Sequence, residues 1–245
     1  MRSKLLGKRQ REVAVDKPDP DTAIQMLKDG NRRFHTGKAI RPHADGRRIA
    51  LAETADQGDY VFATILACSD SRVPVEIIFD AGVMDLFVTR VAGNVCGGEV
   101  IGTIEFGMVH ARTPVVVILG HTGCGAITAA ARALQGRSAP RECNIRAVVD
   151  CAGPACRLAA EEHPEACDDD LIPYAIEENI WQGIRGLFME SPMSRDCVRQ
   201  GKAKVVGAIY DLRTGKVRWL PEQRVAEILK AVEESPDIDP GRSKA

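Results

Sequence analysis

Eight residues, "TPVVVILG" from Thr113 to Gly120, constrain this chain more than any others. Their centre, Val115 to Leu119, is apolar at every position, and a strand can dispense with polar alternation only where both faces of its sheet are covered. That condition points to a parallel sheet between two layers of helices. Three further β-rich runs, "YVFATILA", "DLFVTRVA" and "AKVVGAIYDL", continue the theme, and helical patterns such as "GEVIGTIEFGMVHA" and "GAITAAARALQG" separate them. "KVRWL" fits a final edge strand, and "PEQRVAEILKAVEES" a closing helix begun at Pro221. The predicted fold is α/β: a mostly parallel central sheet flanked by helices, with an N-terminal helical arm. The arm is "PDTAIQMLKDGNRRFHTGK", whose Ile24, Leu27 and Phe34 keep helical spacing up to a stop at Gly37. Its "GNRRF" element is expected to dock on the body.

With 245 residues, 44% of them apolar, the chain can bury one substantial core, so we expect a single domain over 1–245 with flexible tails at 1–18 and 236–245. A formal charge of −1 gives no field that favours nucleic acid or anionic lipid. No apolar run is long enough for a signal peptide or a membrane span, so a soluble, cytoplasmic protein is expected. Eight cysteines with no C-x-x-C spacing suit thiols used for metal, catalysis or packing better than a disulfide framework.

Two of the expected strands run into potential metal ligands. "TILA" ends at Cys68, and "VVVILG" ends at His121 with Cys124 three residues on. Open α/β sheets gather ligands outside the carboxyl ends of their strands, so neighbouring strands bring these three side chains together. Two thiolates and an imidazole hold zinc and leave a fourth position for water or substrate. Gly120, Gly123 and Gly125 allow a tight turn there, and Cys124 falls at a helix start, where the dipole favours thiolate. Asp70 and Arg72 follow Cys68 and can pair, which keeps the carboxylate ionised and oriented. A lone cysteine at a strand end reads equally as a small buried hydrophobe; the joint spacing of both motifs selects metal. A phosphatase-type phosphate loop needs five residues between Cys and Arg, and here three intervene. His35, His43, His110 and His163 are scattered and read as surface or packing residues, as Cys143, Cys151, Cys156, Cys167 and Cys197 read as ordinary thiols.

"CSDSRVP" and "GHTGCGAI", with "RVAGN" from Arg90 to Asn94, resemble the β-class carbonic anhydrases, and the similarity runs from about Ile24 to Leu220. The resemblance implies that Cys68, His121 and Cys124 bind Zn2+ and that Asp70 and Arg72 form a catalytic dyad. It implies reversible hydration of CO2 to bicarbonate and a proton, through attack by zinc-bound hydroxide whose hydrogen Asp70 accepts. In some relatives the matching aspartate swings onto zinc at lower pH, which adds Asp70 to the metal ligands of a closed form. A homodimer or homotetramer with sites near the subunit interface is implied as well. Val73 and Tyr210 are expected at a narrow apolar substrate pocket, and Arg90 and Asn94 are expected to brace the loop, Arg90 through acids. Many relatives carry a glutamine nine residues before the first metal cysteine; here that position is Asp59, and Gln57 takes the substrate-binding role only with a local insertion. Ile65 stands where relatives with a non-catalytic bicarbonate site have Trp, so that form of inhibition is not expected.

Two other readings compete. The same site can hydrolyse carbonyl sulfide or carbon disulfide, and a zinc-binding or thiol-sensing protein without turnover accounts for the cysteine count.

Overall fold

The computed structural model describes residues 17–137 and 142–238. Most of the two expected tails, 1–16 and 239–245, lies outside the described residues. The described parts of both tails are anchored: the Lys17 ammonium donates to three backbone carbonyls, and Ile238 packs against the core.

In chain order the elements are α1 (Pro20–His35), α2 (Gly46–Thr54), β1 (Ala63–Cys68), α3 (Val75–Ile78), β2 (Leu86–Val91), α4 (Gly98–Val109), β3 (Val115–His121), α5 (Gly125–Leu134), α6 (Cys143–Glu162), α7 (Ile172–Glu190), α8 (Pro192–Arg199), β4 (Lys204–Tyr210), β5 (Val217–Trp219) and α9 (Glu222–Glu233). The strands form one sheet in the order β2-β1-β3-β4-β5. β1 to β4 are parallel, and β5 closes the edge antiparallel to β4. β1 and β3 are buried at every residue, as the unalternating runs require.

Successive side chains point to opposite faces, so each central strand feeds two cores. Leu66, Val116 and Ile118 enter a cluster with α4 to α7 and α9, while Ala63, Ile65, Val115, Val117 and Leu119 enter one with Ile24 and Leu27 of α1 and Ile78 of α3. Each fully buried Val, Leu or Ile contributes about 1.5–3 kcal/mol. The loops leaving β1 and β3 therefore start from the best-anchored part of the molecule.

The arm docks as its sequence suggests. Asp19 caps α1 by accepting from the Asp21 and Thr22 amides, and Ile24 and Leu27 face the core. Asn31 donates to the carbonyls of Ile78 and Gly215 and accepts from Val217 N–H, and Arg33 pairs with buried Asp80. No described helix is long and apolar enough to cross a membrane.

Candidate metal centre

The chain enters the sheet at β1, moves outward to β2, and then crosses back to β3 on the other side of β1. The β1/β3 boundary is thus a switch point, where the loops leave in opposite directions and open a crevice at the carboxyl edge. Cys68 ends β1, His121 ends β3, and Cys124 stands immediately before α5. One ligand atom from each lies within 4.8 Å of the others, and all three residues are buried. The turn between His121 and Cys124 requires Gly123, whose φ of +66° lies in the left-handed region.

His121 is set up as a donor. Its Nδ1 lies 3.0 Å from the Thr122 carbonyl, which can only accept, so the ring proton sits on Nδ1. Nε2 then carries a free lone pair, and it is buried with no hydrogen-bond partner. An unpartnered buried nitrogen costs stability unless something fills its valence.

The two thiols complete the picture. A hydrogen bond from Cys124 pulls the Cys68 thiol down strongly against the effect of burial, aided by the amides of Asp70 and Gly93. Both amides reach Cys68 Sγ, at 3.4 and 3.3 Å. The same bond, together with burial, pushes Cys124 far up, although the first free amides of α5 at Ile127 and Ala126 oppose the shift. One negative charge is welcome at this pair and a second is not. A divalent, sulfur-tolerant cation removes that conflict, so two cysteines and an Nε2 donor fit zinc. Cys96 and Cys156 form a contrast: burial pushes them up to about 12 and about 11, and neither belongs to a group of three potential ligands among the described residues.

Asp70 and Arg72 form a two-pronged pair. Arg72 Nε donates to Oδ1 at 2.9 Å and a terminal nitrogen donates to Oδ2 at 2.6 Å, while the Arg72 amide adds a bond to Oδ1 at 2.9 Å. The Arg72 guanidinium holds the Asp70 carboxyl well below the usual carboxylate range. Arg72 also reaches the Gly123 carbonyl at 3.3 Å, which ties the two ligand-bearing loops together. In this conformation Asp70 is not the fourth ligand expected of a closed form. Its oxygens are engaged by Arg72, and it is not in the three-residue ligand cluster.

Other expected residues fall differently. Arg90 braces the loop, but through the carbonyls of Cys68 (3.0 Å) and Asp70 (2.6 Å) and not through acids, because a strand-end guanidinium meets backbone first. Val73 is wholly buried in the cluster with Ala67, Val75 and Tyr210. Tyr210 is buried too and pairs in register with His121. Gln57 is exposed on a turn ahead of β1, while Cys68 ends that strand, so this chain's Gln57 and Cys68 lie at opposite edges of the sheet. Asp59 pairs with Arg112 at 2.6 Å. An apolar groove of about 460 Å³ lies at the start of α5, lined by Ala92, Gly125, Ala126, Ala129, Ile145 and Val148 among others. Sequence reasoning missed it because small residues spread over three elements make no local pattern. Three of the four remaining histidines serve packing or pairing: His43 bonds Asp85, His110 lies against Phe106, and His163 stacks on Tyr174. All eight cysteines are free.

Residues 63–217 match the family described as carbonic anhydrase. A carbonic anhydrase of Mycolicibacterium smegmatis is 33% identical over 199 residues, covering 81% of this chain and 92% of that protein. Carbonic anhydrase 2 of Mycobacterium tuberculosis is 32% identical, with 81% and 91% covered. Among solved structures, the β-carbonic anhydrase CcaA superposes with a TM-score of 0.62 at 23% identity, covering 81% of this chain and 95% of that one. A tetrameric β-carbonic anhydrase of Sordaria macrospora gives 0.60 at 21% identity, with 82% and 97% covered.

Proposed function

The chain belongs to the β-class carbonic anhydrases, enzymes of CO2 hydration, and from that premise we propose that Cys68, His121 and Cys124 hold one Zn2+ beside an Asp70–Arg72 dyad. The observation that carries the proposal is the buried, unpartnered Nε2 of His121 between two thiols that cannot both ionise without a cation. Zinc, when bound, supplies the Lewis acidity that brings the pKa of a bound water from 15.7 to about 7.

The protein's own groups do the rest. Asp70 accepts a hydrogen bond from the attacking water, so that an oxygen lone pair faces CO2. It stays ionised for this task because Arg72 occupies it from two directions. Arg90, holding the carbonyls on either side of Ser69, fixes the backbone from which the carboxylate projects. CO2 is small and apolar, and the alanine-lined groove at the start of α5 has the apolar character that suits it. Such positioning can lower a barrier by several kcal/mol. Bicarbonate leaves, and the proton passes to bulk solvent. Asp70, two residues from Cys68, would be the residue placed to add a fourth ligand in a closed form were Arg72 to release it.

We further propose a single domain that works as a homodimer or homotetramer in the cytoplasm. Among the described residues β2 pairs with no strand on its outer side, beside half-exposed Phe106 and Val109, which favours association. Free thiols throughout suit a reducing compartment. Gln57 then reaches a site only across a subunit boundary.

Zinc content and stopped-flow CO2 hydration test the assignment together. We expect one zinc per chain, and an Asp70→Asn protein that keeps its zinc while losing about 10²-fold or more in kcat. A metal-free protein that still hydrates CO2, or a zinc-loaded one inert from neutral to alkaline pH, would overturn it.

A further inference from the structure

Cys68 Sγ accepts two backbone N–H bonds, and they differ in origin. The Asp70 amide comes with the loop itself. The Gly93 amide arrives from the exit of β2, and its aim depends on a turn in which Gly93 (φ +71°) and Asn94 (φ +42°) are both left-handed. Glycine enters that region freely, but Asn94 does so at a cost and the turn gains from outside support. Support comes from 86 positions further along the chain: Asn179 Nδ2 donates to the Gly93 carbonyl at 2.9 Å.

Asn179 is an odd occupant of its own helix. It is 3% exposed on a face of α7 shared with buried Ala175, Ile176 and Gly183. A carboxamide buried there costs about 1–3 kcal/mol unless it is hydrogen-bonded. Helix packing alone would place an aliphatic residue at this position. The bond to Gly93 accounts for the amide.

We infer that Asn179 is a positioning residue for the metal centre: by clamping the Gly93 carbonyl it keeps the Gly93 N–H on Cys68 Sγ and so sets that sulfur's strength as a metal donor. The inference rests on reading Cys68, His121 and Cys124 as the zinc site. An N–H bond draws electron density from a thiolate, so its loss makes the sulfur easier to oxidise toward a bound metal and frees it to move.

Cobalt(II)-substituted protein reports on the sulfur directly through its near-ultraviolet sulfur-to-cobalt charge-transfer band. In Asn179→Leu and Asn179→Ala we expect this band to move to longer wavelength and zinc affinity, by chelator competition, to fall about tenfold. Ile184→Ala takes packing from the same helix without touching Gly93, and should leave both readouts where they are. Folded Asn179 variants with native band and affinity, or an Ile184→Ala protein that shifts both as far, would overturn the inference alone. Absence of a thiolate band in the native cobalt protein would instead overturn the zinc site beneath it.

Discussion

The two edges of the sheet treat polar groups in opposite ways. At the amino edge each prominent charge is answered. Lys17 meets the carbonyls of Val61, Ala111 and Arg112, and Arg112 meets Asp59. At the carboxyl edge valences are left open: His121 Nε2 and Asn94 Nδ2 are buried without partners, and two thiols compete for one charge. Both edges end the same well-packed strands, so packing does not explain the contrast. Answered groups secure a fold, whereas unanswered buried ones are tolerated where a ligand completes them.

The hardest blow to this contrast comes from the carboxyl edge. Cys124→Ala should abolish zinc retention and CO2 hydration while the protein remains folded by circular dichroism; a variant that kept its metal would show that the open valences mean nothing. Gly93→Ala should have a smaller, mixed effect. A methyl group there sits at φ +71° and 3.0 Å from the Ala126 Cβ, which costs about 1–2 kcal/mol, or about 2–8 °C in Tm. Loss of activity in excess of loss of stability would mark the turn as part of the site.

Lys17→Met should matter least to catalysis, and its signature is a pH dependence. Burial, and then the charge of Arg112, push Lys17 down to about 8 from 10.5. Between these values the unfolded chain holds more protons than the folded one, so stability climbs as pH rises from about 8 toward 10.5. Denaturant titrations of Lys17→Met across that window should lose this slope and leave kcat unchanged. A fall in kcat would blur the distinction between the edges.

Much of this was readable in advance where residues act in groups. The unbroken apolar runs announced β1 and β3, and paired motifs at their ends announced Cys68, His121 and Cys124, because burial on two faces and metal coordination both demand particular residue types. Elements without a buried stripe stayed hidden: α2 has no buried residue, so its periodicity carries no signal, and α3 is a single turn. The task of Arg90 is legible in its sequence and its partners are not, since side-chain chemistry says nothing about which carbonyls a loop will present. Asn179 was invisible for a related reason. One polar residue in an amphipathic helix looks like a surface position until the turn it holds is seen.

The loops bearing Cys68 and Cys124 are strapped together at their base by Arg72 but run off toward opposite flanks of the sheet. A designer wishing to widen or reshape the mouth of the crevice can therefore lengthen one lip without colliding with the other, provided the graft begins beyond that strap.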